Sequence, residues 1–137
     1  EAVWWACLCC KHTLRIVNKP LPEEEQALRA AVAWVVSPDE EHRKQASHLG
    51  YQLGPKKSAG CLAQAAGLGG VASSPDQPVV PLQPVALAKL AGAAVLLAVN
   101  AGNPSDVDLN CRQFLALGID VDNHLCHWAA RPSNHGV

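Results

Sequence analysis

The chain has 137 residues, 49% of them hydrophobic and 17% charged, and its 11 Lys and Arg against 12 Asp and Glu leave a formal net charge of -1. This length suits one hydrophobic core and is short for two, so residues 1–137 are expected to form a single domain. The near-neutral balance excludes a nucleic-acid domain that works through bulk positive charge, and the hydrophobic content excludes an intrinsically disordered chain. With no methionine, the chain is expected to begin downstream of its native start, leaving room for a targeting segment ahead of it.

Residues 1–21 are apolar and cysteine-rich, opening with Ala2-Val3-Trp4-Trp5-Ala6-Cys7-Leu8-Cys9-Cys10. The run resembles part of a signal h-region but lacks a basic n-region and a small-x-small cleavage site. It predicts an apolar first helix folded onto the core; the alternative is a membrane-proximal or partner-binding end. In Leu21-Pro22-Glu23-Glu24-Glu25, Pro22 suits the first helical position and the carboxylates complement the positive end of the helix dipole. Ala27, Ala31 and Trp34, with Leu28, Val32 and Val35 beside them, form an apolar face, and this helix should end before Ser37-Pro38.

Ser37-Pro38-Asp39-Glu40 reads as a capping box, with Ser37 as the cap, Pro38 at the first helical position and Glu40 completing it. The helix behind it is mainly polar, with His42 and His48 solvated and Ala46 and Leu49 turned inward, and Gly50 and Gly54-Pro55 end it. A short small-residue helix opens at Lys57 or Ser58, carries Cys61, Leu62, Ala65 and Ala66, and stops at Gly67, Gly69 and Gly70. Residues 71–84 follow as a loop in which Pro75, Pro78, Pro81 and Pro84 recur every third residue, the pattern of an extended polyproline-like strap.

Residues 85–99 form the most apolar helix, with Leu87, Leu90, Ala91, Ala94, Leu97 and Ala98 on one face and Val95 and Val99 widening it. Apolar groups nearly all round predict a central helix packed on several sides. Its longest apolar run, residues 90–99, is about half of the ~20 residues that cross a bilayer, so no membrane span is expected. A last helix spans 105–117, with Val107, Cys111, Phe114 and Leu115 inward and Gly118 as its C′ glycine. Strand alternation is absent throughout. The predicted architecture is a compact all-α bundle of five to six helices with a proline-rich crossover strap.

Candidate chemistry concentrates at the two ends. Cys7, Cys9, Cys10 and His12 at one, and His124, Cys126 and His127 in the His-rich tail (122–137) at the other, are soft ligands of the kind zinc or copper takes. A site, if present, would use Cys7, Cys10, His12, His124, Cys126 and His127. The tight Cys-x-Cys-Cys spacing departs from the usual Cys-x2-4-Cys knuckle, and on a helix Cys9 points away from the face that Cys7 and Cys10 share. No metal or other cofactor is therefore expected. Cys61 and Cys111 read as small core hydrophobes. Gly50–Ser58 fails the phosphate-loop pattern on spacing and on Pro55, and no turn marks a nucleophile.

Four stretches carry a resemblance. They are Ala33-Trp34-Val35-Val36-Ser37-Pro38-Asp39-Glu40-Glu41-His42-Arg43, Ser58-Ala59-Gly60-Cys61-Leu62-Ala63, Leu90-Ala91-Gly92-Ala93-Ala94-Val95-Leu96-Leu97-Ala98 and Arg112-Gln113-Phe114-Leu115-Ala116-Leu117-Gly118-Ile119-Asp120. In order and spacing, residues 22–121 resemble a small bacterial family described as a domain of unknown function and often encoded beside type VI secretion genes. The resemblance implies a cytoplasmic, non-enzymatic adaptor or accessory protein with a protein partner, and brings no catalytic residues. The expected contact surface joins the N-terminal segment to the strap through Trp4, Trp5, Leu8, Pro78 and Pro81. A small metal-binding or thiol-redox protein using the two ends is the alternative.

Overall fold

The computed structural model describes residues 1–16, 20–70 and 83–125. Six α-helices and one 3-10 turn account for most of them, and no strand occurs among the described residues. Helix α1 spans Ala2–Ile16, α2 Pro22–Val36, α3 Glu40–Leu53, α4 Ser58–Gly67, α5 Pro84–Val99 and α6 Val107–Asp122, the last preceded by the 3-10 turn Pro104–Asp106. The all-α expectation holds. The part of the strap at Pro75, Pro78 and Pro81 lies outside the described residues, and Pro84 is the first residue of α5.

Local signals place most helix ends. Pro22 opens α2 with Glu23, Glu24 and Glu25 in its first turn. At α3 the cap is Asp39 rather than Ser37: its side chain accepts from the His42 backbone N–H at 2.8 Å. Ser37 instead donates its hydroxyl to Asp39 at 3.2 Å, and Pro38 precedes the cap. The carboxylate is the stronger acceptor and sits three residues before that N–H, the distance an N-cap needs. Helix α3 passes through Gly50 and ends at Gly54, whose φ of 91° is glycine territory. Helix α6 runs through Gly118 to Asp122, so Gly118 is not its C′ residue. The Trp5 ring packs there: a Cβ on Gly118 would lie 3.1 Å from the indole.

The central helix is α4, not α5. Helix α4 lies against α1, α2, α3 and α5, and eight of its ten residues are buried. Helix α5 buries Ala91, Ala94, Val95, Ala98 and Val99 along one side, while Val85 and Leu96 are exposed. Small residues make α4 the natural centre, because alanine and glycine let neighbouring backbones approach on every side. In α5 the small residues are interspersed with larger leucines and valines, which hold neighbouring backbones further off.

Hydrogen bonds from single side chains tie neighbouring helices together. Thr13 donates to the Ala98 carbonyl at 3.1 Å, linking α1 to α5. Ser58 reaches Ala94 of α5 at 2.7 Å, Gln64 reaches Gly50 of α3 at 3.1 Å, and Asn110 reaches Val99 of α5 at 3.2 Å. Thr13 and Asn110 are buried, and each donates one of these bonds. Arg43 links the start of α3 to the end of α4, bonding Glu40 at 2.7 Å and the Gly67 carbonyl at 2.9 Å. Gly69 fits beneath the Trp34 ring, where a Cβ would come within 2.0 Å, and Trp34 donates to Gly70 at 3.2 Å. The glycines after α4 thus serve packing. No single described helix is long and apolar enough to cross a membrane.

Candidate functional site

The N-terminal aromatics part company. Trp4 is a core residue at 4% exposure, so it is not on the surface that the sequence reading assigned it to, and Leu8 is half-buried. Trp5 is half-buried and donates its indole N–H to the Phe114 carbonyl at 2.7 Å, which fixes its ring between α1 and α6. The folded-helix reading of residues 2–10 therefore falls within α1, which runs on to Ile16, with Trp5 as its link to the surface.

Around Trp5 two grooves meet. One, of about 340 Å³, is lined by Trp5, Gly92, Val95, Leu96, Val99, Cys111, Phe114 and Leu115, with no charged side chain. The other, of about 370 Å³, is lined by Trp5, Leu115, Gly118, Ile119 and Val121, with Glu1 and Asp122 at its edge. Leu96, Leu115 and Ile119 are 65%, 62% and 62% exposed, a grouped apolar patch rather than scattered surface leucines. Leu115, expected to turn inward, is on the outside. The helix register gives the inward place to Phe114, and α6 touches only α1 and α5 among the other α-helices with more than marginal contact.

The cysteines form a buried group. Cys7, Cys9 and Cys10 are each no more than 2% exposed. Cys9 does not point away from the core, because α1 has α2, α4, α5 and α6 around it. Burial first, then the neighbouring thiols, pushes Cys7 well above the ordinary thiol range. Burial and then Cys10 push Cys9 up to about 12. Burial pushes Cys10 up to about 11 against a lowering hydrogen bond from Ser58. Thiolate is the metal ligand and the nucleophile, and this environment opposes it. Cys61 is buried with its thiol 3.1 Å from the Pro55 carbonyl, and Cys111 is half-buried.

The two ends do approach one another, through His124 and Glu1 at 3.8 Å. His12 packs edge-on against Phe114, with ring centres 5.6 Å apart. Cys126 and His127 lie outside the described residues, and among the described residues no three His, Cys, Asp or Glu side chains converge as a metal site. Ser37, Asp39 and His42 contain the residue types of a hydrolytic triad in the wrong order. The serine and the imidazole (2.8 Å) both contact the carboxylate, so no base addresses the hydroxyl. His48 is exposed, as expected.

A third groove, about 590 Å³, lies between α1 and α2 and is lined by Lys11, Leu14, Arg15, Glu25, Leu28, Arg29, Val32 and Ala33. Sequence reasoning missed it. The visible signal was that the first half of α2 carries alanines at the positions it buries, with larger aliphatics beside them.

Residues 1–122 match the profile of a family of unknown function, DUF6931, and the chain belongs to that family. No curated protein and no solved structure matches the chain.

Proposed function

We propose that this protein is a non-enzymatic helical adaptor or accessory protein that binds another protein through the apolar face of α5 and α6 around Trp5. The observation that carries the reading is the uncharged groove between Leu96 and Leu115, floored by Val95, Val99 and Phe114 and continuous past Trp5 with the Ile119 groove. Such a face is apolar at its centre with charge confined to its edge, the composition of an interface core. Trp5 adds a large anchor already held in place by its bond to Phe114. A bacterial, cytoplasmic role beside a type VI secretion apparatus extends this reading and is supported by the resemblance of the four helical stretches. The buried, protonated thiols weigh against the metal or thiol-redox alternative.

A photo-crosslinking amino acid placed at Leu115, at Ile119 and, as control, at Gln45 on α3 tests the proposal in cells that express the protein. One defined protein adduct is expected at the first two positions and none at Gln45. The Leu96→Glu substitution should remove the adduct without changing the melting temperature. Adducts of equal yield at all three positions, or none at Leu115 and Ile119, would refute it.

A further inference from the structure

We propose that the groove between α1 and α2 is a second binding site, separate from the α5–α6 face, and that it takes an amphipathic helix whose aliphatic stripe is flanked by carboxylates. The two helices run antiparallel. Val3 at the start of α1 lies beside Trp34 and Val35 at the end of α2, and the other end of the pair opens into the groove. Helix α2 buries Ala27, Ala30 and Ala31 and, at its far end, Val35, while beside the groove its larger Leu28 and Val32 stay half-buried and face it with Leu14. A helix that needed only its own core would bury the larger side chains first, since burial free energy scales with apolar area. Leu28 and Val32 stand one helical turn apart, a spacing that matches the i, i+4 stripe of a helix laid along them.

The rim supplies the charge. Lys11 and Arg15 are one turn apart on α1, Arg29 stands on the α2 side, and Glu25 is the single carboxylate in the lining, 3.9 Å from Arg29. Lys11 and Arg15 make no ion pair among the described residues. The groove is therefore locally positive in a chain whose formal net charge is -1, and an acidic partner is steered to it and held in register. Among the described residues only α1 and α2 wall the groove. That leaves it too open for the near-complete enclosure a small ligand needs, and suited to a helix laid along it. A bilayer fits less well, because the aliphatic floor is recessed below Arg15 and Arg29, which are exposed.

The test uses the whole chain and a fluorescent synthetic helix of about 15 residues, near the shortest length that holds helix alone. It carries leucines at i, i+3, i+4 and i+7 with glutamates on both flanks. A twin has lysines for glutamates. Anisotropy should show the glutamate peptide binding at least about tenfold tighter than its twin, a difference of ~1.4 kcal/mol. Arg15→Glu with Arg29→Glu should weaken it by at least as much, while Lys44→Glu on α3 and Leu115→Glu on α6 leave it unchanged. The last control separates this site from the α5–α6 reading. Equal affinity for the two peptides, no binding of the glutamate peptide, or equal loss in the Lys44→Glu control would overturn the proposal. So would tighter binding of oleate or of anionic phosphatidylserine vesicles at the same residues.

Discussion

Gly60→Ala and Gly92→Ala make the same chemical change in two helix interiors and should act in opposite directions. In an open helix, alanine is favoured over glycine by ~0.5–1 kcal/mol, because glycine loses more backbone freedom on folding. Gly92 has nothing within 4 Å of its would-be Cβ, so the full propensity gain should appear. At Gly60 the Cβ would lie 1.9 Å from the Gly54 carbonyl oxygen, where ordinary contact begins at 3.4 Å. The obstacle is backbone at the end of α3, held by Gly54 at a φ of 91°, so it has no rotamer in which to retreat. Separating α3 from α4 would also strain the Gln64–Gly50 bond and the Arg43–Gly67 bond. Overpacking of this kind costs about 1–3 kcal/mol, which exceeds the propensity gain and leaves a net loss of ~1–2 kcal/mol. At roughly 4 °C per kcal/mol, Gly60→Ala should melt about 4–8 °C lower and Gly92→Ala about 2–4 °C higher than the parent. Circular dichroism melts, with urea midpoints at unchanged m, measure both. A Gly60→Ala protein at or above the parent Tm would show that α3 and α4 are not in this close contact.

Three further outcomes follow from the charged and titrating groups. Thiols in the unfolded chain ionise near pH 9, while Cys9 and Cys10 in the folded chain are pushed up to about 12 and about 11; their contribution is therefore full below pH 9 and is lost as pH rises through the folded values. Urea midpoints should show a shallower alkaline decline for Cys9→Ala than for the parent, an identical slope would remove the buried-thiol argument, and iodoacetamide near neutral pH should label Cys111 ahead of Cys7, Cys9 and Cys10. The His42 backbone N–H, then its ring, holds the Asp39 carboxyl below the usual carboxylate range. Asp39→Ala should lower the Tm at neutral pH more than Asp39→Asn, and the gap to the parent should close as pH falls through that lowered value, when the parent's cap is itself protonated.

Much of the helix layout was legible because its determinants are local. Pro22 with its three glutamates, the Lys57–Ser58 start and the Gly67–Gly70 stop act through neighbours within about one turn, so residue order alone exposes them. Even there, two adjacent candidates for one cap were separated only by geometry, Asp39 and not Ser37 meeting the His42 N–H. What each helix faces was not legible. Gly50 and Gly118 look like terminators, yet Gln64 crowds the first and Trp5 the second from elsewhere in the chain. Leu115 and Phe114 are neighbours of similar hydropathy, and only the docking of α6 on α1 and α5 sends one outward and the other in. The apolar composition of α5 suggested the centre that alanine-rich α4 occupies. Composition measures how much surface a helix would gain by burial, whereas position in the bundle depends on how closely its neighbours' backbones can approach, and that is a property of all the helices at once.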